Sequence, residues 1–215
     1  MSDSIFQEII NYFQDNRQSF LLAVNEHLRI SIIALFIAVL IGVPLGYLCT
    51  RKKIYKKVMV GLFQVLRIIP SLAILFLLVP IVGTGVEPAM IALVLLAVPP
   101  ILMNTFTAFE SVPEFMVETA MGLGMTDFDA LIKVKIPLAL PVIMAGIRTA
   151  AIEIIASATL AAKIGAGGLG QLIFTGLGLN KAHLLIIGGV SVAAISLIVG
   201  LLMSLLNRHL FKYAQ

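Results

Sequence analysis

Glu118-Thr119-Ala120-Met121-Gly122-Leu123-Gly124-Met125-Thr126-Asp127-Phe128-Asp129-Ala130-Leu131-Ile132-Lys133-Val134-Lys135-Ile136-Pro137 is the stretch whose reading decides how this 215-residue chain is organised. Asp127, Asp129, Lys133 and Lys135 within it, with Glu110 and Glu114 just before it and Glu118 at its start, concentrate charge in a chain that is otherwise apolar. Overall 60% of residues are hydrophobic and the mean hydropathy is +1.08. Only 12% are charged, about half the share usual in a soluble domain. Ser111 to Glu114 reads as a capping box with Pro113 in the first helical turn, and Gly124 as a left-handed stop. Thr126 to Asp129 repeats the capping pattern and starts a second helix that is expected to end at Pro137. The result is a helix-turn-helix hairpin on a membrane surface, with Leu123 and Met125 flanking Gly124 at its turn. Apolar side chains there suit either a docking knob or a fold-back onto the bundle, and the residues alone leave both open.

Outward from the hairpin, the apolar runs have the length of about 20 residues that a spanning helix needs. Five are expected, at about 29–48, 58–80, 88–108, 138–162 and 183–206, in a single all-α, polytopic membrane domain over 21–206. A short tail, 207–215, follows. Gly42, Pro44 and Gly46 are expected to loosen the far end of the first span. Pro99-Pro100 removes two backbone donors from the third and is expected to kink or break it. Residues 1–20 precede the first span. There Ser4 to Gln7 fits a capping box, and Ile5, Phe6, Ile9, Ile10 and Phe13 recur at helical spacing, so an amphipathic interfacial helix is expected. These first residues are acidic and amphipathic, unlike a cleavable signal.

Charge placement gives the orientation. The formal charge of +4 and pI of about 9.3 arise at helix ends and not along one face, which argues against nucleic-acid binding. Arg51, Lys52, Lys53, Lys56, Lys57, Lys133, Lys135, Arg208 and Lys212 fall on one side of a five-span chain, and Arg17, Arg29, Lys163 and Lys181 on the other. The positive-inside bias then places the amino terminus outside, with the hairpin and carboxyl terminus in the cytoplasm. Cys49 is the only cysteine, which excludes an intrachain disulfide and a multi-cysteine metal site.

With these residues in view, Glu118-Thr119-Ala120, Gly124 and Val134-Lys135-Ile136-Pro137 resemble the EAA loop of binding-protein-dependent ABC importer permeases, Glu-Ala-Ala-x3-Gly-x9-Ile-x-Leu-Pro. Thr119, Val134 and Ile136 depart from that pattern while keeping size or apolarity. The resemblance covers about residues 20 to 206. It implies the type I importer permease fold and a hairpin that couples to an ATPase through Glu118, Thr119, Ala120, Leu123, Gly124, Met125 and Pro137. It also implies the partners: two cytoplasmic ABC ATPase subunits carrying ATP and Mg, a second permease that is identical or homologous, and an extracytoplasmic binding protein. Pro70-Ser71-Leu72-Ala73-Ile74-Leu75, Met144-Ala145-Gly146-Ile147-Arg148-Thr149 and Ile164-Gly165-Ala166-Gly167-Gly168-Leu169-Gly170 look most like the osmoprotectant branch, which imports glycine betaine, carnitine and choline. A methionine or other amino-acid importer permease is the alternative within the family. A self-contained ion-coupled carrier or channel is the alternative outside it, disfavoured because no second copy of a helix-breaking pattern appears.

Other motifs weigh less. Gly165, Gly167 and Gly170 spell a dinucleotide fingerprint, but an apolar helix precedes them and Leu184 to Leu197 contains no carboxylate, so a flexible outer loop including Gly168 is the better reading. Arg67, Arg148 and Glu153 fall inside spans, where ionisable groups are costly. With Pro70 they are candidates for the translocation pathway, the alternative being structural pairing of one arginine with Glu153. No phosphate loop, cofactor motif or catalytic constellation is present, so the chain is expected to be a transporter subunit that leaves ATP hydrolysis to its partners. His27, His183 and His209 lie far apart near membrane ends, which suits interfacial placement better than metal ligation. The chain has no Trp, and Tyr12, Tyr47, Tyr55 and Tyr213 all lie at or beyond the span ends. No aromatic cage for a quaternary ammonium is expected along the pathway.

Overall fold

The computed structural model describes residues 2–51, 61–62 and 68–210, with side chains from residue 5 onward. Among these all regular structure is helical: α1 (Ser2–Asp15), α2 (Arg17–Arg51), α3 (Ser71–Val82), α4 (Val86–Glu110), α5 (Glu114–Gly122), α6 (Asp127–Ala130), a π turn (Leu131–Lys135), α7 (Ile136–Ala161), a 3-10 turn (Ala162–Ile164), α8 (Gly170–Gly178) and α9 (Ala182–Leu210). Among the described residues, four stretches are long and apolar enough to cross a membrane, Arg17–Arg51, Val86–Glu110, Asp127–Ile164 and Ala182–Leu210. The end of the expected second span is the 12-residue α3. Most of that span's earlier part, with Arg67, lies outside the described residues, as do Lys52, Lys53, Tyr55, Lys56, Lys57, Lys212 and Tyr213.

The core is built on close helix approach. Helix α4 is central, gripped by α2 and α7, with α3 alongside and α9 packed on the far side of α7. On α2 the small residues Ala34, Ala38, Gly42 and Gly46 recur every fourth position and are all buried, a stripe that lets helix backbones meet where hydrophobic driving force between helices is absent. A Cβ on Gly42 would sit 2.8 Å from Ile101 Cγ2, and one on Gly46 would sit 2.7 Å from the Leu102 carbonyl. These glycines therefore fasten α2 to α4, and the expectation that they loosen the helix is corrected. Gly146 does the same between α7 and α4, where a Cβ would meet Asn104 Cβ at 2.5 Å. Leu93, Ile101, Leu102 and Ile154 fill the space between. Large apolar side chains such as Phe36, Leu40, Leu197 and Leu201 remain exposed on the outer faces of α2 and α9.

Several local expectations are overturned. Pro99 and Pro100 are buried inside an unbroken α4; tight helix neighbours hold the backbone helical there, and Asn104 Nδ2 donates to the Pro100 carbonyl at 2.8 Å. Helix α2 begins at Arg17, well before the expected start of the first span, because the chain turns only at Asn16 between it and α1. Helix α1 starts at Ser2, so Ser4 lies inside it and not at its cap. The amphipathic α1 is held against α9 by Glu8 Oε2 and His183 Nδ1 at 2.7 Å, and Phe13 stacks edge-on to Phe20 of α2 at 5.0 Å.

Candidate functional site

The polar hairpin is closed by its backbone. Gly124 N–H donates to the Met121 carbonyl at 2.9 Å and Met125 N–H to the Ala120 carbonyl at 3.1 Å, the paired bonds of a Schellman motif, which needs a left-handed residue between them. Gly124 supplies it at φ +87°. Ala120, 5% exposed, is the small residue under this turn, and Met125 is half-buried beside it. Leu123 at the tip is 77% exposed, with Phe115 and Phe128 also exposed on the two arms. Leu123 therefore does not fold back onto the bundle. Glu118 and Thr119 are exposed on α5, and Thr119 Oγ1 donates back to the Phe115 carbonyl at 2.7 Å.

The second arm is capped as expected and ends differently. Thr126 Oγ1 accepts from Asp129 N–H at 3.1 Å and donates to Asp129 Oδ2 at 2.6 Å, while Lys133 Nζ donates to Asp129 Oδ1 at 2.6 Å. Outside the membrane-spanning part of this helix, the Lys133 contact first and the Thr126 hydroxyl second hold the Asp129 carboxyl down at about 2. The arm does not stop at Pro137. It passes through the π turn, where Ile136 N–H reaches the Leu131 carbonyl, and Pro137 follows in the first turn of α7, where the local π adjustment accommodates its missing N–H. The hairpin is thus a rigid extension of a bundle helix. The capping box at Ser111 is also absent: Ser111 Oγ donates to the Ala108 carbonyl at 2.9 Å and finishes α4, leaving Pro113 at the cap of α5.

At the opposite end of α7, residues 166–170 are buried, which corrects the expectation of a flexible loop. Gly165, Gly167 and Gly168 have φ of +86°, +82° and +79°, and a Cβ on Gly170 would collide with the Thr159 carbonyl. Gly168 N–H donates to Glu26 Oε2 at 3.0 Å. His27 is 1% exposed, packs on Gly168 and donates from Nε2 to the Ile155 carbonyl at 3.1 Å, so it is a structural residue and not an interfacial one. Glu26 and Arg29 face a cavity of about 540 Å3 bordered by this loop. The sequence reading missed Glu26 and α8; the polar run Asn25-Glu26-His27 at the head of an apolar helix was the available signal.

The intramembrane candidates are separated. Glu153 lines a cavity of about 300 Å3 with Pro70 and Ser71, and it has an interaction partner within the fold. Arg148 is exposed on another face of α7 and forms no ion pair with a described residue. Pairing of Arg148 with Glu153 is therefore absent, and Arg67 lies outside the described residues.

Against this geometry, the pattern of one protein family, the binding-protein-dependent transport system inner membrane component, matches residues 42–212. The chain is 42% identical over 191 residues to the carnitine transport permease protein OpuCB of Listeria monocytogenes, covering 89% of this chain and 88% of that one. It is 41% identical over 202 residues to the choline transport system permease protein OpuBB of Bacillus subtilis (strain 168), covering 94% and 93%. Its fold is similar to that of a chain from the inward-facing MetNI methionine ABC transporter, with a TM-score of 0.79 at 24% identity, over 89% of this chain and 95% of that one.

Proposed function

The chain belongs to the family of binding-protein-dependent transport system inner membrane components, and from that premise we propose that it is the membrane-spanning subunit of an ATP-driven importer of quaternary-amine osmoprotectants: glycine betaine, carnitine and choline. The carnitine and choline names of relatives about 40% identical along nine-tenths of both chains support the substrate class. The fold likeness to a methionine transporter carries no substrate at 24% identity.

The observation that carries the coupling role is the exposed Leu123 on a hydrogen-bonded turn that continues rigidly into α7. A knob of that kind seats in a groove and transmits displacement, because the arm behind it is helix and not loop. Two cytoplasmic ATPase subunits take the hairpins of this chain and a second permease, identical or homologous. Their bound ATP and Mg supply the energy, and this chain has no hydrolytic role of its own. Glu118, exposed beside the knob, serves the same docking face, while Ala120 and Gly124 shape it. Pro137 marks the entry of the arm into the spanning helix. A binding protein delivers substrate at the outer end, where the buried glycine loop, tied to Glu26 and His27, holds the surrounding surface firm. This orientation puts the amino terminus outside and the carboxyl terminus in the cytoplasm. The test is to purify the chain with its bound partners and identify the ligand on the binding protein. A quaternary amine with a co-purified ATPase supports the reading; methionine or another ordinary amino acid sinks the substrate class.

A further inference from the structure

The root of the coupling arm is short of backbone hydrogen bonds. Pro137 and Pro141 lie one turn apart in α7, and neither has an N–H to give, so the carbonyls of Lys133 and Pro137 lose their usual donors four residues on. The π turn adds to this, because Ile136 N–H goes to the Leu131 carbonyl and not to that of Ile132. Helix α9 runs alongside. It packs on α7 closely enough that a Cβ on Gly200 would sit 3.2 Å from Ile152 Cδ1. Nearer the hairpin, Asn207 Nδ2 of α9 donates to the Pro141 carbonyl at 3.2 Å. Asn207 Oδ1 is buried and has no partner among the described residues. A buried amide oxygen left unpaired is costly, and an apolar residue of similar size would avoid that cost. Packing alone therefore does not explain the amide, whereas its donor does.

We propose that Asn207 is a positioning residue for coupling: it stitches the weak root of the arm to α9, so that a displacement of the Leu123 knob moves α7 and α9 together and does not bend the arm. The inference rests on the coupling role proposed above and names what keeps the arm stiff. Helices kink where proline removes a bond from the ladder, and a load applied at the hairpin tip is absorbed at such a point. The stitch lies at Pro141, the residue whose ring opens the gap, roughly 8 Å along α7 from its start. It fixes that peptide to a second spanning helix. A bend hinged on Pro141 has to break it, and a straight arm keeps it.

The experiment uses the complete transporter in proteoliposomes with its ATPase and loaded binding protein, and reads ATP hydrolysed per molecule moved for whichever of glycine betaine, carnitine and choline the wild type moves fastest. Asn207→Leu removes the donor and the unpaired oxygen together. It is expected to raise ATP per molecule roughly threefold to tenfold, the population shift that one neutral hydrogen bond supports, with co-purified ATPase and melting temperature unchanged. Pro141→Ala restores an N–H for the Pro137 carbonyl and is expected to leave the ratio unchanged by itself. Combined with Asn207→Leu it should recover most of the coupling, because the gap that needs the stitch is closed. An unchanged ratio in Asn207→Leu overturns the proposal. A raised ratio that Pro141→Ala does not rescue makes Asn207 a structural residue and overturns it as well. If Asn207→Leu does not assemble, Asn207→Gln, which keeps a donor on a longer stem, and Asn207→Ala, which has none, decide the question. Tighter coupling in Gln than in Ala supports the proposal, and any other order overturns it. A wild-type assembly whose ATP hydrolysis is not stimulated by the loaded binding protein would instead remove the coupling role on which the inference stands.

Discussion

Replacing Gly124 separates backbone strain from docking. Its φ of +87° is one that L side chains avoid, yet a Cβ built on it meets no atom within 4 Å. A substitution therefore costs conformational strain and no collision. For an ordinary residue in the left-handed region that is about 1–2 kcal/mol, a factor of roughly 5 to 30 in the population of the closed turn. Gly124→Ala bears the full cost. Gly124→Asn bears less, because its short polar side chain tolerates this region. Gly124→Asp shares the tolerance of Asn and adds a charge, so its shortfall relative to Asn measures the penalty of a charge at the docking surface. Each variant would be purified from membranes with its ATPase, and retained ATPase, initial uptake and the melting temperature of the permease measured together. The expected order of retention and uptake is wild type, then Asn, with Ala and Asp lowest, and little change in melting because the turn lies outside the cores. Equal retention for Ala and Asn would refute the backbone argument. Normal retention and uptake with Asp would place the turn away from the ATPase.

Gly170→Ala should lower the thermal stability of the detergent-solubilised permease by about 1–3 kcal/mol or prevent its accumulation, since the added Cβ meets the Thr159 backbone carbonyl; an unchanged melting curve would contradict the close approach. Thr126→Ala should fray the start of α6 by about 1 kcal/mol while Thr126→Asn preserves it, read as amide exchange at Asp129. Because the Asp129 carboxyl is depressed to about 2, its interaction with Lys133 supports the arm above the ordinary carboxylate range and is lost as pH falls toward 2. Lys133→Ala should move that titration upward in carbon NMR, and an unmoved titration would show that the contact does not form. In a Cys49→Ala background, Asp127→Cys and Thr175→Cys should label from opposite sides of the membrane. Labelling of both by an impermeant reagent in intact cells would overturn the orientation.

Much of this architecture was legible in the residues, for identifiable reasons. Spanning helices declare themselves by apolar length, and the turn at Gly124 by a glycine stop between two capping patterns, so the hairpin followed from local pattern, while exposure of Leu123 rather than a fold-back onto the bundle did not. What was misread depended on neighbours. Pro99 and Pro100 look like breakers until α2 and α7 are seen holding α4, and Gly42 and Gly46 look like weak points until Ile101 and Leu102 are seen against them. The glycine loop looked mobile because glycine is locally permissive; its rigidity comes from Glu26 and His27, about 140 residues earlier in sequence. Pro137 looked like a helix stop, yet the π turn before it carries the helix through. The relation between Arg148 and Glu153 was open because a helix wheel does not say which face meets a cavity, and the two side chains take different faces.

On this reading the chain imports quaternary amines only as part of an ATP-driven assembly. The most direct measurement is radiolabelled glycine betaine, carnitine and choline uptake into proteoliposomes containing the permease, with the ATPase, ATP and the binding protein added or omitted in turn. Uptake should require all three, persist without any ion gradient, and be abolished when ATP cannot be hydrolysed. Uptake by the permease alone, driven by a sodium or proton gradient, would show a self-contained carrier instead.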